Sequence, residues 1–169
     1  MKRLDGRVAL VTGAGSGIGR GIARVFAAEG AHVYVTDING AAAETVAGEI
    51  NGTGASAQAI TADVSRGQDV TAMFRVVEKD HGRLDVLVNN AGLNVRADFR
   101  HLTDAEWVTI REVNLDGVVR VARDGFALLK ASKHGSLINI ASVLAHRGLR
   151  QLTAYSATVA WGDGNTTPA

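Results

Sequence analysis

Short apolar runs alternate along this chain with longer stretches whose apolar residues return every three or four positions. The runs VALVT (Val8 to Thr12), HVYVT (His32 to Thr36), Ala57 to Ile60, LDVLV (Leu84 to Val88) and SLINI (Ser136 to Ile140) read as strands. Continuous apolar character suits strands covered on both faces. The first helix is expected to present Ile18, Ile22, Val25 and Phe26 on one face and to close at Gly30. A second helix is expected near Ala41 to Ile50, and a third carries Val70, Met73, Phe74 and Val77 behind a capping box at Ser65 to Gln68. Another box, Thr103 to Glu106, opens a helical region whose later part sets Leu115, Val118, Val119, Ala122, Phe126 and Leu129 on one face. Strands alternating with helices imply parallel pairing with right-handed crossovers. The pattern predicts one α/β domain, a Rossmann-type doubly wound parallel sheet of about five strands in the order 3-2-1-4-5.

Composition narrows the field only by exclusion. The 169 residues are 46% hydrophobic, and 18 basic residues face 17 acidic ones, a net charge of +1. That balance gives no electrostatic case for a nucleic-acid or membrane partner. There is no cysteine, which excludes disulfides and thiolate metal sites, and the five histidines lack HxH or HxxxH spacing, so no metal site is expected. The apolar run near the start is too short for a signal sequence or membrane span, which points to the cytoplasm.

The 20 glycines are informative because they cluster. TGAGSGIGR (Thr12 to Arg20) lies where the first strand turns into the first helix. Gly13, Gly17 and Gly19 let a backbone approach a pyrophosphate, and Ser16 and Ile18 lie between them at a helix N-terminus with free N–H groups. A tight strand–helix turn also wants glycine, so the motif counts only with its flanks. Asp37 ends the second strand, 18 residues after Gly19. A carboxylate there accepts hydrogen bonds from both adenosine ribose hydroxyls and repels a 2′-phosphate. Ile38 follows, and no Lys or Arg falls between Gly13 and Gly19, so NAD is favoured over NADP. The bland alternative is a surface aspartate capping the next helix. Asp63 and Val64 follow the third strand, and Asn89, Asn90, Ala91 and Gly92 follow the fourth. Both groups sit at carboxyl ends of strands, where open α/β sheets bind ligands.

Together TGAGSGIG, Asp37, Asp63–Val64, NNAG, NLDG at 114–117, Ser142, and Tyr155 thirteen residues later closely resemble the classical short-chain dehydrogenase/reductase family. The likeness runs from about Leu4 to Thr158 and is greatest to the branch of 3-oxoacyl carrier-protein reductases and sugar or alcohol dehydrogenases. It implies hydride transfer between NAD(H) and a small alcohol or ketone. By resemblance, Asn114 would hold a helix backbone carbonyl and an ordered water, Ser142 would hydrogen-bond the substrate oxygen, and Tyr155 would be the general acid or base. The family's lysine four residues beyond Tyr155 is here Val159. A free tyrosine has a pKa of ~10, and lowering it to ~7 takes roughly 4 kcal/mol, which a neighbouring ammonium can supply and a valine cannot. Lys130 or Lys133 would have to substitute from elsewhere.

The resemblance also implies a longer chain. Gly162, Asp163, Gly164, Asn165 and Pro168 disfavour a helix beyond Trp161. The sequence therefore reads as an incomplete dinucleotide-binding domain over 1–158 with an irregular tail over 159–169. A frameshift or premature stop after Thr158 would produce that ending. Weakened oxidoreductase activity is the first expectation. A non-catalytic dinucleotide-binding remnant, or a partner subunit of a full-length homologue, is the second. Family members pair through the helix near 116–133, so a homodimer is plausible on the same resemblance.

Overall fold

The computed structural model describes residues 2–160. Five strands form one parallel sheet: β1 (Val8–Thr12), β2 (His32–Asp37), β3 (Ser56–Thr61), β4 (Val86–Asn89) and β5 (Ser136–Asn139), in the order β3-β2-β1-β4-β5. The expected order is therefore the observed one. The order reverses beside β1, so the carboxyl ends of β1 and β4 flank a crevice.

Each strand alternates its side chains between two apolar layers. Val8 and Leu10 point to the side packed by α3 (Gly67–His81) and α5 (Val118–Ala131), through Val70, Phe74, Val77, Val121 and Leu128. Ala9 and Val11 point to the other side, covered by α1 (Gly17–Ala28) and α2 (Gly40–Gly52), through Ala23, Ala27, Val46 and Ile50. All five residues of β1 are buried, as its unbroken apolar run requires.

The helix faces depart from the expected stripes. In α1 the buried residues are Gly19, Ala23 and Ala27, while Ile18 is 67% exposed and Val25 is 54% exposed. Small side chains let this helix lie close on the sheet, so its large apolar residues are turned sideways and outward. Its end is a Schellman turn: Ala31 N–H donates to Phe26 O at 3.1 Å, Gly30 N–H to Ala27 O at 3.0 Å, and Gly30 takes φ +96°. In α5 the expected Leu129 is buried together with Val121, Gly125 and Leu128, while the expected Val119 and Phe126 face outward. A Cβ on Gly125 would lie 2.7 Å from the Phe74 ring and 2.8 Å from Leu87, so a larger residue there would push these side-chain ends aside.

Of the two expected capping boxes, one forms. Thr103 accepts from Glu106 N–H at 3.2 Å, and the Glu106 carboxylate accepts from Thr103 N–H at 2.9 Å, opening α4 (Asp104–Arg111). The box at Ser65 does not form, because its hydroxyl donates to Asp63 Oδ1 at 2.7 Å and α3 begins after Arg66 without a side-chain cap. Between α4 and α5 the helical path widens into a π segment, Glu112–Gly117. A last helix, α6 (Thr153–Val159), starts two residues before Tyr155. The helix-breaking run expected beyond Trp161 lies outside the described residues.

At the amino end of β4, away from the crevice, Asp85 is almost fully buried. It accepts from Val8 N–H at 2.8 Å and from Ser132 Oγ at 2.6 Å, and Arg83 and Arg7 lie at 3.4 and 3.5 Å. Burial pushes its carboxyl upward, but the Ser132 and Val8 hydrogen bonds and the two guanidiniums together hold it below the usual carboxylate range.

Candidate functional site

The crevice is built from backbone first. Gly13 takes φ +63°, and a Cβ there would lie 2.8 Å from Ala91 Cα. A Cβ on Gly19 would run into the Gly13 carbonyl oxygen. These two glycines seat the loop after β1 against the loop after β4. Asn90 locks the pair from its side chain, donating to Thr12 O at 2.9 Å and Gly13 O at 3.1 Å. Thr12 completes the joint: its buried Oγ1 accepts from both Asn90 N–H and Ala91 N–H, each at 3.0 Å. Ser16 precedes α1 without a side-chain capping bond, which leaves the helix's first N–H groups facing the crevice.

Asp37, the last residue of β2, lies beside the glycine loop. Its Oδ2 accepts from Gly15 N–H and its Oδ1 from Asn39 N–H, both at 2.9 Å. The cap of α2 is Asn39, accepting from Ala42 N–H at 3.2 Å, so the bland alternative of a capping aspartate is not what the structure shows. Each Asp37 oxygen keeps a second lone pair for a ligand hydroxyl. Arg20, one residue past the glycine loop, is spent on Glu49 at 2.7 Å. Asp63 turns its Oδ1 to Ser65 N–H and hydroxyl, which presents the Asp63–Val64 backbone along the crevice.

Gly13, Ser16, Gly17, Ile18, Asp37, Ile38, Asp63, Val64, Asn90, Ala91 and Gly92 all line one cavity of about 420 Å³. Of the residues expected to bind cofactor, Gly19 alone is off its wall; it is buried beneath Gly13. The glycine loop, the open helix N-terminus and a carboxylate beyond β2 are the donor and acceptor set that a dinucleotide's pyrophosphate and ribose require.

A second cavity, about 620 Å³, adjoins the first, with Ile18 and Asn90 to Leu93 as shared walls. Asn114, Ser142 and Tyr155 all line it. Ser142 Oγ accepts from Leu144 N–H at 3.2 Å, capping a short 3-10 turn (Val143–Ala145), so its hydroxyl proton is left to donate. The Tyr155 hydroxyl makes no hydrogen bond among the described residues. Asn114 differs from expectation. Rather than a helix carbonyl, its side chain holds both backbone groups of Leu93 in the loop after β4, Nδ2 donating to the carbonyl at 2.8 Å and Oδ1 accepting from N–H at 2.9 Å. The π segment turns Asn114 inward to make this bond. Its Nδ2 also reaches Thr158 Oγ1 at 3.3 Å, which in turn donates to Tyr155 O at 2.9 Å. Asn114 thus ties the loop after β4 to the helix that carries Tyr155.

Thr12, Thr158 and Arg96 were not singled out by sequence reasoning. Thr12 was visible at the head of the glycine motif, but its bond to the loop after β4 depends on sheet register. Val159 lines the second cavity in the position where the resemblance places a lysine.

The short chain dehydrogenase family matches residues 7–164, and the chain belongs to that family. It is 39% identical over 160 residues to nodulation protein G of Rhizobium sp. strain N33, covering 95% of this chain and 64% of that protein. It is 37% identical over 157 residues to D-threitol dehydrogenase of Mycolicibacterium smegmatis, covering 92% of this chain and 60% of that protein. Among solved structures it resembles a 7α-hydroxysteroid dehydrogenase complexed with NADH and 7-oxo glycochenodeoxycholic acid. That likeness has a TM-score of 0.90 at 33% identity, over 95% of this chain and 62% of the other. A metagenomic short-chain oxidoreductase in complex with NADP gives a TM-score of 0.88 at 36% identity, over 94% and 72%. The chain spans less than two thirds of the length of these curated relatives. No helix among the described residues is long and apolar enough to cross a membrane.

Proposed function

We propose that this chain binds NAD(H) in preference to NADP(H) in the smaller cavity and that the larger one takes an alcohol or ketone for hydride transfer. The observation that carries this reading is the shared wall of Ile18 and Asn90 to Leu93, across which the reacting end of a dinucleotide in the smaller cavity would meet the cavity lined by Ser142 and Tyr155. Asp37 supports NAD, because its two oxygens suit free ribose hydroxyls and its charge opposes a 2′-phosphate. Bound there, the nicotinamide supplies or accepts the hydride. Ser142 donates a hydrogen bond from its hydroxyl to the substrate oxygen, and Tyr155 delivers the one proton to that oxygen in reduction or removes it in oxidation. Asn114 keeps Tyr155's helix and the Leu93 loop in register. The outward Val119 and Phe126 of α5 support pairing with a second copy along that helix.

Val159 sets the rate. A lysine at this position would bring an ammonium to the cavity wall; the valine leaves Tyr155 without that help, and reaction is slowed by roughly 10²–10⁴. The test is Val159→Lys, assayed with NAD and polyols such as threitol and galactitol. Turnover should rise by about that factor and should vanish again in Val159→Lys/Tyr155→Phe. No gain from a folded, NAD-binding Val159→Lys protein would favour the second reading, a nucleotide-binding subunit without chemistry of its own.

A further inference from the structure

Among the described residues, Arg96 is the one charged residue in the lining of the larger cavity, together with Ser142 and Tyr155. Eight arginines among the described residues form ion pairs, but Arg96 is not one of them, nor does it make any hydrogen bond among those residues. The nearest carboxylate in sequence, Asp98, is already taken by Arg100, at 3.1 and 3.2 Å from its two oxygens. Arg96 is therefore an exposed cation beside the cavity, with no hydrogen-bond partner for its guanidinium among the described residues.

Its backbone is held on both sides. Leu93 is clamped by Asn114, and Ala97 N–H donates to Gln151 O at 3.1 Å, joining this loop to the one before α6. That second loop carries Arg147 and Arg150, which likewise have no carboxylate partner among the described residues. The wall is mixed, with Leu144, Leu149 and Val159 beside Asn94, Asn114 and Asn139.

We propose that the substrate is an alcohol or ketone bearing an anionic group, a carboxylate or a phosphate, and that Arg96 selects it. A guanidinium meets either anion with two parallel N–H donors, whereas a neutral polyol leaves it to water. This rests on the substrate reading of the larger cavity and narrows it.

The experiment is a ligand-observed NMR titration with 3-hydroxyhexanoate, the matching hydroxyalkyl phosphate and neutral 1,3-hexanediol, run with and without saturating NAD. NAD affinity is measured in parallel. Because Arg96 is solvent-exposed, the preference for the anions over the diol is expected to be about three- to tenfold. It should disappear in Arg96→Gln and largely survive in Arg96→Lys, while NAD affinity stays the same in both. The two anions tell a carboxylate site from a phosphate site by which binds tighter. Equal binding of anions and diol, no binding of any of them, or a preference that survives Arg96→Gln overturns the proposal. A chain that fails to bind NAD but keeps an Arg96-dependent preference would refute the cofactor reading and leave the anion site standing.

Discussion

At the scale of single residues, Thr12 shows how a site can hang on one hydroxyl. Its Oγ1 is the acceptor for two successive N–H groups of the loop after β4 and donates to Val88 O at 3.3 Å. Thr12→Val keeps the volume but removes the acceptor, leaving both N–H groups without a protein partner in a half-buried joint. The expected cost is about 2 kcal/mol of stability. It should be read as a lowered urea midpoint with unchanged slope, accompanied by weaker NAD binding because Asn90 and Ala91 line the nucleotide cavity. An unchanged midpoint would mean that the two loops are held together by the Asn90 side chain alone. The residues that carry the candidate chemistry were readable from sequence because their types are constrained: glycines where a Cβ would collide, and a carboxylate after a strand. Thr12 and Thr158 were not, since a buried threonine's partners are fixed by register and helix approach rather than by residue type.

At the scale of elements, periodicity placed the strands and helices and part of their inner faces, Ile22 and Phe26 on α1 and Leu129 on α5, but also counted large apolar residues that face outward. Counting large apolar residues selects Ile18, Val25 and Phe126, whereas close packing on a parallel sheet selects Gly19, Ala23, Ala27 and Gly125. The π segment before α5 adds a further rotation that a 3.6-residue period does not anticipate. Strand β4 illustrates the energetic side of the same point. LDVLV reads as apolar, yet its Asp85 is a buried anchor between β1, β4 and the turn before β5. Because its folded-state pKa is depressed, its stabilisation is fully present above the unfolded carboxylate value near 4 and is lost as pH falls through the folded value. Asp85→Asn should therefore cost about 3 kcal/mol at pH 7. The gap between wild type and variant should hold down to about pH 5 and close below pH 4. Urea unfolding across that range checks it; a gap independent of pH would show that shape, not charge, makes Asp85 matter.

At the scale of the whole molecule, the sheet order puts both cavities on one side of β1 and β4, with a common wall between them. The fold and the family were legible in the spacing of motifs. What the larger cavity prefers was not, because Arg96 reaches it only through the path of the loop after β4, pinned at Leu93 and Ala97. The account depends above all on the smaller cavity holding NAD through Asp37. Calorimetric titration of the purified chain with NAD and with NADP, repeated on Asp37→Ala, tests this most directly. The expected result is NAD binding at least about tenfold tighter than NADP, with Asp37→Ala weakening NAD by about tenfold or more and narrowing the difference between the two. Absence of NAD binding, tighter binding of NADP, or indifference to the loss of Asp37 would contradict the account.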